Sequence, residues 1–414
     1  MSRLAAASLL LLAGLACSAG DAPGDGRTGP GTEPAADDAP AAPGALLYAW
    51  TTDADSADLN FLAVLDADPA SPRYGEILTT LPVPTRGPTR GHHTEHRMPE
   101  DRRLFANDFG TGISYVFDLG DPLAPAVADS FTAAGPLRSP HSFERLPDGN
   151  VLATFQNEGP GNDAAGGLAE LRPDGEAVRW GSADEPDRYV RPYSLAVVPA
   201  LDRVVTGSAD MRGEGVSRVV QVWRLSDLTL LATLELPEVW GQAAEPRVLA
   251  DGRTVLVSTF GCRLLRVDGL AGDRPTVEAV HAFEGEGCAV PVVLGERWIQ
   301  PVPAEHALVA VDVSDPGSVR EVARRELPDG HWPHWLASSP DGRRIVVTGY
   351  AGTRHRVLLV DVDPGTGAMR LDERFRTPGS DGPGVSFDRE AWPHGATGPA
   401  DPHGVVFSLP PGGG

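Results

Sequence analysis

Cysteine is scarce in this chain, three residues in 414. No C-x-x-C pair is present, so a dithiol redox centre is excluded, and three cysteines cannot build a disulfide framework. Positive charge is short as well: 35 Lys and Arg stand against 57 Asp and Glu, a formal net charge of -22. Such a surface repels phosphate backbones and anionic head groups, which argues against nucleic acid as a partner. The catalytic signatures G-x-S-x-G, H-E-x-x-H and G-x-x-x-x-G-K are missing too. Aromatic residues make up only 6% of the chain, whereas glycine (48) and proline (39) are abundant and the hydrophobic fraction is 41%. That balance supports a large core made of short strands and many turns, and predicts one all-β domain.

The N-terminus reads MSRLAAASLLLLAGLAC. A basic start at Arg3, an apolar run from Leu4 to Ala16 and small residues before Cys17 predict a signal peptide over residues 1–16, too short to span a bilayer. The ending Ala-Gly-Leu-Ala-Cys fits a permissive bacterial lipobox, with Cys17 as the lipidated residue; the alternative is an ordinary signal peptide with an incidental cysteine. Residues 18–44 contain no aromatic, Leu, Ile or Val and are dense in Gly, Pro, Ala and Asp. They cannot bury enough apolar surface to offset their ordering entropy, so 17–44 is expected to be a lipidated cysteine followed by a flexible tether. The expected location is therefore exported, in the periplasm or on the outer membrane, with Ser18 after the cysteine favouring the latter. Cys262 and Cys288 could pair or stay buried as thiols, and their spacing does not decide between these.

Residues 45–414 carry an internal repeat. PHSFERLPDGNVLATF around His141 and PHWLASSPDGRRIVVTG around His334 share Pro-His, an alternating strand, a Pro-Asp-Gly turn and a second β-rich strand, a hairpin signature. The same frame aligns His93, Tyr193, Ala244, Cys288 and His403. Units of roughly 45 to 50 residues with several short strands each are the period of a propeller blade. The expected fold is a seven-bladed β-propeller, all-β, in which LLYAWTT, NFLAVLDAD and GEILTTLPVP join the C-terminal strand in one blade and close the ring. The stretch TPGSDGPGVSFDREAWPHGATGPAD reads as an inserted loop. Asp361 and Asp363 resemble the start of a calcium loop, but the third ligand and the glycine are out of place.

Equivalent positions of successive blades ring the central axis. His93, His141, His334 and His403, distant in sequence, are thereby expected to converge at one mouth of the channel. Several imidazoles suit copper or zinc. His92, Glu95, Tyr193 and Cys288 are candidates for ligands, orienting groups or acid/base roles, Glu95 and Tyr193 being the catalytic candidates. The competing reading is that each histidine hydrogen-bonds a neighbouring blade's backbone. His96, three residues beyond His93, is expected to point away from the ring, and His281, His306, His331 and His355 fall outside the register.

The sequence resembles the selenium-binding protein and methanethiol oxidase family through most of residues 45–408. The resemblance is carried in order by SPRYGEILTTLPVPTRG leading to His92-His93, DRRLFANDFGTGISYVFDLGDP, AGGLAELRPDGE after His141, RPYSLAVVPALDRVVTGSADM, VVQVWRLSDLTLLATLELPE, SPDGRRIVVTG and LLVDVDPGTGAMRLDERF. It implies a seven-bladed propeller and, in enzymatic members, copper-dependent oxidation of methanethiol to formaldehyde, hydrogen sulfide and hydrogen peroxide. By position it implies metal-binding roles for His92, His93 and His141, with His394 the best match to a late histidine and His403 a further candidate. The family's vicinal cysteine motif has no counterpart, since Thr94-Glu95-His96 follow the histidine pair, and the relatives carry an amide at the position of His334. The expected function is oxidation of methanethiol or another small thiol or reduced sulfur compound; the alternative is a non-catalytic lipoprotein propeller that binds a metal or a protein.

Overall fold

The structure, a computed structural model, describes residues 44–410 apart from 87–88, 90, 160, 162–163, 186–188, 212–216, 329 and 353–354. The expected signal peptide, Cys17 and the tether lie outside the described residues. Seven antiparallel sheets follow one another along the chain. They are numbered here as blades 1 to 7, from the paired histidines onward. Their innermost strands are Gly91–Thr94, Leu137–Arg145, Pro192–Val198, Ala243–Val248, Val292–Leu294, His331–Ser338 and Gly398–Phe407. Among the described residues the only helices are short 3-10 turns, and no helix is long and apolar enough to cross a membrane.

Blade 7 closes the ring as expected. Leu46–Asp53 pairs with Gly398–Phe407, Leu47 opposite Phe407 and Asp53 opposite Ala400, and Leu59–Asp66 and Ile77–Arg86 complete the sheet. The inner strand of the first-to-last blade is thus paired, leaving no free edge at the seam. The inserted stretch of the sequence is largely a loop that adds two short pairings, Val385–Ser386 to blade 6 and Asp388–Arg389 to blade 7.

Strand alternation explains the core. In each blade the two middle strands are buried on both faces, as in Arg103–Asp108 and Ile113–Asp118, because each sheet packs against both neighbours. Leu104, Ala106, Tyr115 and Phe117 of blade 1 pack on Tyr48, Trp50, Leu62 and Val64 of blade 7. Each fully buried side chain of this size is worth about 1.5–3 kcal/mol. The outermost strands face solvent, and their composition follows: Arg320–Glu326 reads REVARRE.

One irregularity recurs where it matters. In six of the seven blades the innermost strand holds an extra residue relative to its partner, at 92–93, 141–142, 193–194, 244, 334 and 403–404. A β-bulge re-aims side chains and frees backbone groups from the ladder. Here it lets consecutive residues, such as His92 and His93, both face the axis, which regular alternation forbids. Blade 5 lacks the bulge, and Cys288 just before its inner strand is bonded to Cys262 of blade 4.

Candidate metal centre

The bulges bring five histidines together. Ring centroids lie 4.3 Å apart for His92 and His93, 4.4 Å for His93 and His141, 4.1 Å for His92 and His403, 5.0 Å for His92 and His141 and 4.9 Å for His334 and His403. Ligand-capable nitrogens of His92, His93 and His141 all lie within 4.8 Å of one another. Gly404 makes the seam between blades 7 and 1 close enough: a Cβ there would stand 2.6 Å from the Thr94 nitrogen and 2.8 Å from the His92 oxygen.

Hydrogen bonds fix the rings. His141 Nδ1 donates to the Tyr193 carbonyl at 2.7 Å and His403 Nδ1 to the His92 carbonyl at 3.0 Å. A carbonyl only accepts, so both rings carry their proton on Nδ1 and present a bare Nε2. His93 Nδ1 meets the Ser142 hydroxyl at 2.8 Å. Nε2 of His93 and of His141 is buried without a hydrogen-bond partner, which is costly unless something occupies it. Burial holds the His141 ring down to about 3 and the His334 ring down to about 4, and it depresses His93 and His403 well below the usual imidazole value, with the neighbouring rings adding to the effect. These are neutral imidazoles, the donor type that copper or zinc takes.

The rest of the chamber is apolar. Tyr193 lies 4.1 Å from His141, Trp335 5.0 Å from His93 and Phe109 5.6 Å from His141, by ring centroid. His93 and His141 are fully buried, whereas His334 and His403 are 8% and 7% exposed. The less buried edge of the cluster is therefore the one formed by His334 and His403.

Three expected site residues, His394, Cys288 and Glu95, fall elsewhere or in other roles, and His96, expected to point away from the ring, has partners outside it. His394 is not part of the cluster: its Nδ1 contacts the Thr80 hydroxyl at 2.7 Å on the outermost strand of blade 7, and its ring packs on Phe61 of the neighbouring middle strand. The inserted loop folds back over that blade and carries His394 away from the axis. Cys288 is no thiolate ligand, because it is bonded to Cys262. Glu95 is buried but turned to the next blade, with Oε1 2.7 Å from Arg145 Nε and Oε2 accepting the Phe105 N–H. Burial raises its carboxyl to about 7 even beside Arg145. His96 lies below the ring, stacked on Trp335 at 4.6 Å and 3.1 Å from the Arg247 guanidinium. Asp363 only caps its own turn at Gly365 and Thr366, and Asp361 pairs with Arg370, which leaves no calcium loop there.

Sequence reasoning missed the layer beneath the histidines. Ser194 donates to Glu245 at 2.7 Å, and Glu245 pairs with Arg247 at 2.9 Å beside His96 and Trp335. Below that layer a cavity of about 870 Å³ opens at the other mouth, lined by Met98, Phe143, Glu144, Leu195 and Val248 among others. In sequence Ser194, Glu245 and Arg247 are ordinary strand residues, and only the repeat frame, extended one to three residues past each register position, would have pointed to them.

No protein-family model matches the chain. Methanethiol oxidase from Hyphomicrobium sp. is 31% identical over 173 residues, which cover 39% of this chain and 38% of that protein. The match thus spans well under half the length of this curated relative. Among solved structures, a hypothetical selenium-binding protein from Sulfolobus tokodaii superposes with a TM-score of 0.68 at 16% identity, covering 89% of this chain and 94% of that one. The periplasmic gluconolactonase of Pseudomonas aeruginosa superposes with a TM-score of 0.62 at 18% identity, covering 89% and 99%. At these identities the two structures speak to the fold alone. Taken with the three-histidine cluster, the sequence match makes this propeller similar to the selenium-binding protein and methanethiol oxidase family.

Proposed function

We propose that this chain is an exported, copper-dependent oxidase of methanethiol or another small thiol, with its centre on the axial histidines. The observation that carries the reading is the convergence of three buried imidazoles, His92, His93 and His141, whose ligand-capable nitrogens lie within 4.8 Å of one another, in a chain similar to a methanethiol oxidase. His92, His93 and His141 would hold the ion, with His334 and His403 as the accessible pair at the entrance. Bound copper would supply the electron exchange between thiol and dioxygen that no side chain here can perform.

The chain's own residues supply the rest. The Tyr193 and His92 carbonyls hold the His141 and His403 rings in one tautomer. Tyr193, Phe109 and Trp335 keep bulk water from the buried side and form an apolar wall that suits a methyl group. His334 and His403, at the entrance, stay neutral at pH 7 and so place no charge in the path of a neutral thiol. The overall change, methanethiol, dioxygen and water giving formaldehyde, hydrogen sulfide and hydrogen peroxide, balances in atoms and electrons.

Export to an oxidising compartment is supported by the buried Cys262–Cys288 disulfide, a bond that persists outside the reducing cytosol. It also fits the leader and Cys17 read from the sequence, which would place the domain on a lipid anchor. The test is oxygen uptake by copper-loaded full-length protein, purified without a histidine tag and given methanethiol. Uptake with sulfide release supports the reading. Copper bound without uptake of oxygen for any small thiol would leave a metal-binding propeller and remove the oxidase.

A further inference from the structure

Between the histidines lies a hydrogen-bonded lattice that the proposed chemistry does not use directly. The Asn107 side chain accepts the His93 N–H at 2.7 Å and donates to the Pro140 carbonyl at 2.9 Å, while its own carbonyl accepts the Trp50 indole N–H at 2.7 Å. It is fully buried. One residue thus ties blades 7, 1 and 2 together: its side-chain amide bridges the His93 N–H and the Pro140 carbonyl, and its backbone carbonyl holds the Trp50 indole. The His93 N–H is a group that the bulge at 92–93 withdraws from the ladder, and Asn107 is what satisfies it.

Ser142 completes the lattice at the rings. Its hydroxyl lies 2.8 Å from His93 Nδ1 and 3.1 Å from His141 Nδ1, and its N–H donates to Thr154 Oγ1, which in turn donates to the same Tyr193 carbonyl that His141 uses. His141 Nδ1 bears a proton because it faces that carbonyl. For His93 the alternatives differ in cost. A proton on Nε2 would leave a buried N–H with no acceptor, whereas a proton on Nδ1 is received by the Ser142 oxygen.

We propose that Ser142 and Asn107 are positioning residues: Ser142 selects the His93 tautomer whose Nε2 faces the metal, and Asn107 sets the spacing between His93 and His141. The inference rests on the metal reading above but has an independent observable, the ring proton itself. Outer partners of this kind are worth about 10–100-fold in metal affinity.

The experiment uses full-length protein labelled with ¹⁵N-histidine. Long-range ¹H–¹⁵N correlation spectra of the metal-free form report the tautomers, and chelator competition reports copper affinity. Expected are Nδ1-protonated His93 and His141 in the wild type. Ser142→Ala should move the His93 proton to Nε2 or to a mixture, leave His141 fixed by the Tyr193 carbonyl and weaken copper binding about tenfold; Ser142→Thr, which keeps the hydroxyl, should restore both. Asn107→Ala should lower affinity at least as much. Asn107→Asp keeps the acceptor for the His93 N–H but loses the donor to Pro140, so it should fall between the wild type and Asn107→Ala, and it remains informative if the alanine variant fails to fold. An unchanged His93 tautomer and unchanged copper affinity in Ser142→Ala would overturn the proposal. The expected tautomers in a wild type that binds no copper would instead sink the metal reading and leave the tautomer selection standing.

Discussion

The same place in the repeat frame carries His93, His141, His334 and His403 in blades 1, 2, 6 and 7, and Tyr193, Ala244 and, just before the inner strand, Cys288 in blades 3, 4 and 5. The backbone treats six of these positions alike, each with a bulge, so in those six blades the difference lies in the side chains, whereas blade 5 lacks the bulge. One half of the ring is polar and convergent; the other is a wall. Tyr193 and Ala244 pack with Ala209 in a small apolar cluster, and Cys288 joins the apolar core between blades 4 and 5. The two halves depend on each other. The wall removes water, and its low polarity is what keeps the imidazoles neutral and their lone pairs available.

Acid should break the comparison most strongly, on the histidine side. His141 and His334 titrate near 3 and 4 in the folded chain, against about 6.5 when unfolded. The unfolded chain therefore takes up protons first, so stability is full above about pH 6.5 and falls as pH drops toward 4 and then 3, by about 1.4 kcal/mol per pH unit for each such proton. Glu95, raised to about 7, works the other way, costing stability as pH rises from about 4.5, but it is outnumbered by the depressed histidines. Denaturant titrations of metal-free protein from pH 7 to 4 should show this decline, and a His141→Gln, His334→Gln double variant should flatten it. A decline of the same steepness in the double variant would assign the acid sensitivity to other groups.

Next in size is the wall. The Cys262–Cys288 bond closes a separation of 26 residues, for which the chain-entropy model gives about 3.5 kcal/mol. The Cys262→Ala, Cys288→Ala double variant should lose stability on that scale in thermal melts, yet bind copper as tightly as the wild type, because neither sulfur faces the cluster. Weakened copper binding there would show that the two halves are coupled through this seam.

The smallest effect is expected at His394. Replacing it by alanine removes the Thr80 hydrogen bond and the contact with Phe61, worth roughly 1–2 kcal/mol of stability, and should leave copper affinity unchanged. A tenfold loss of affinity would return His394 to the centre and contradict its placement against Thr80 and Phe61 of blade 7.

Much of this was legible in the sequence because a propeller repeats its punctuation. Pro-Asp-Gly turns after His141 and His334 set the frame, and the frame placed His93 and His403 on the axis without any local motif. His92 was legible from the residues only as one of several candidates beside the ring, and as the partner of His93 only through family resemblance, since alternation assigns it to the opposite face from His93 and the bulge that overrides alternation has no residue signature. His394 was misplaced because order along the chain does not reveal that the inserted loop folds outward. The Cys262–Cys288 bond, Asn107 and Ser142 were out of reach for a related reason: each acts across blades, where contacts are set by packing and not by spacing. Ser194, Glu245 and Arg247 are likewise visible only once the strands are stacked around the axis.

The central claim is that the ring histidines form one metal centre. X-ray absorption at the copper edge of loaded full-length protein, compared with the His93→Ala, His141→Ala double variant, tests it most directly. The account predicts one copper per chain with imidazole scattering in the wild type and loss of bound copper in the variant. A wild type that retains no copper, or a variant that retains it with the same imidazole signal, would contradict the account.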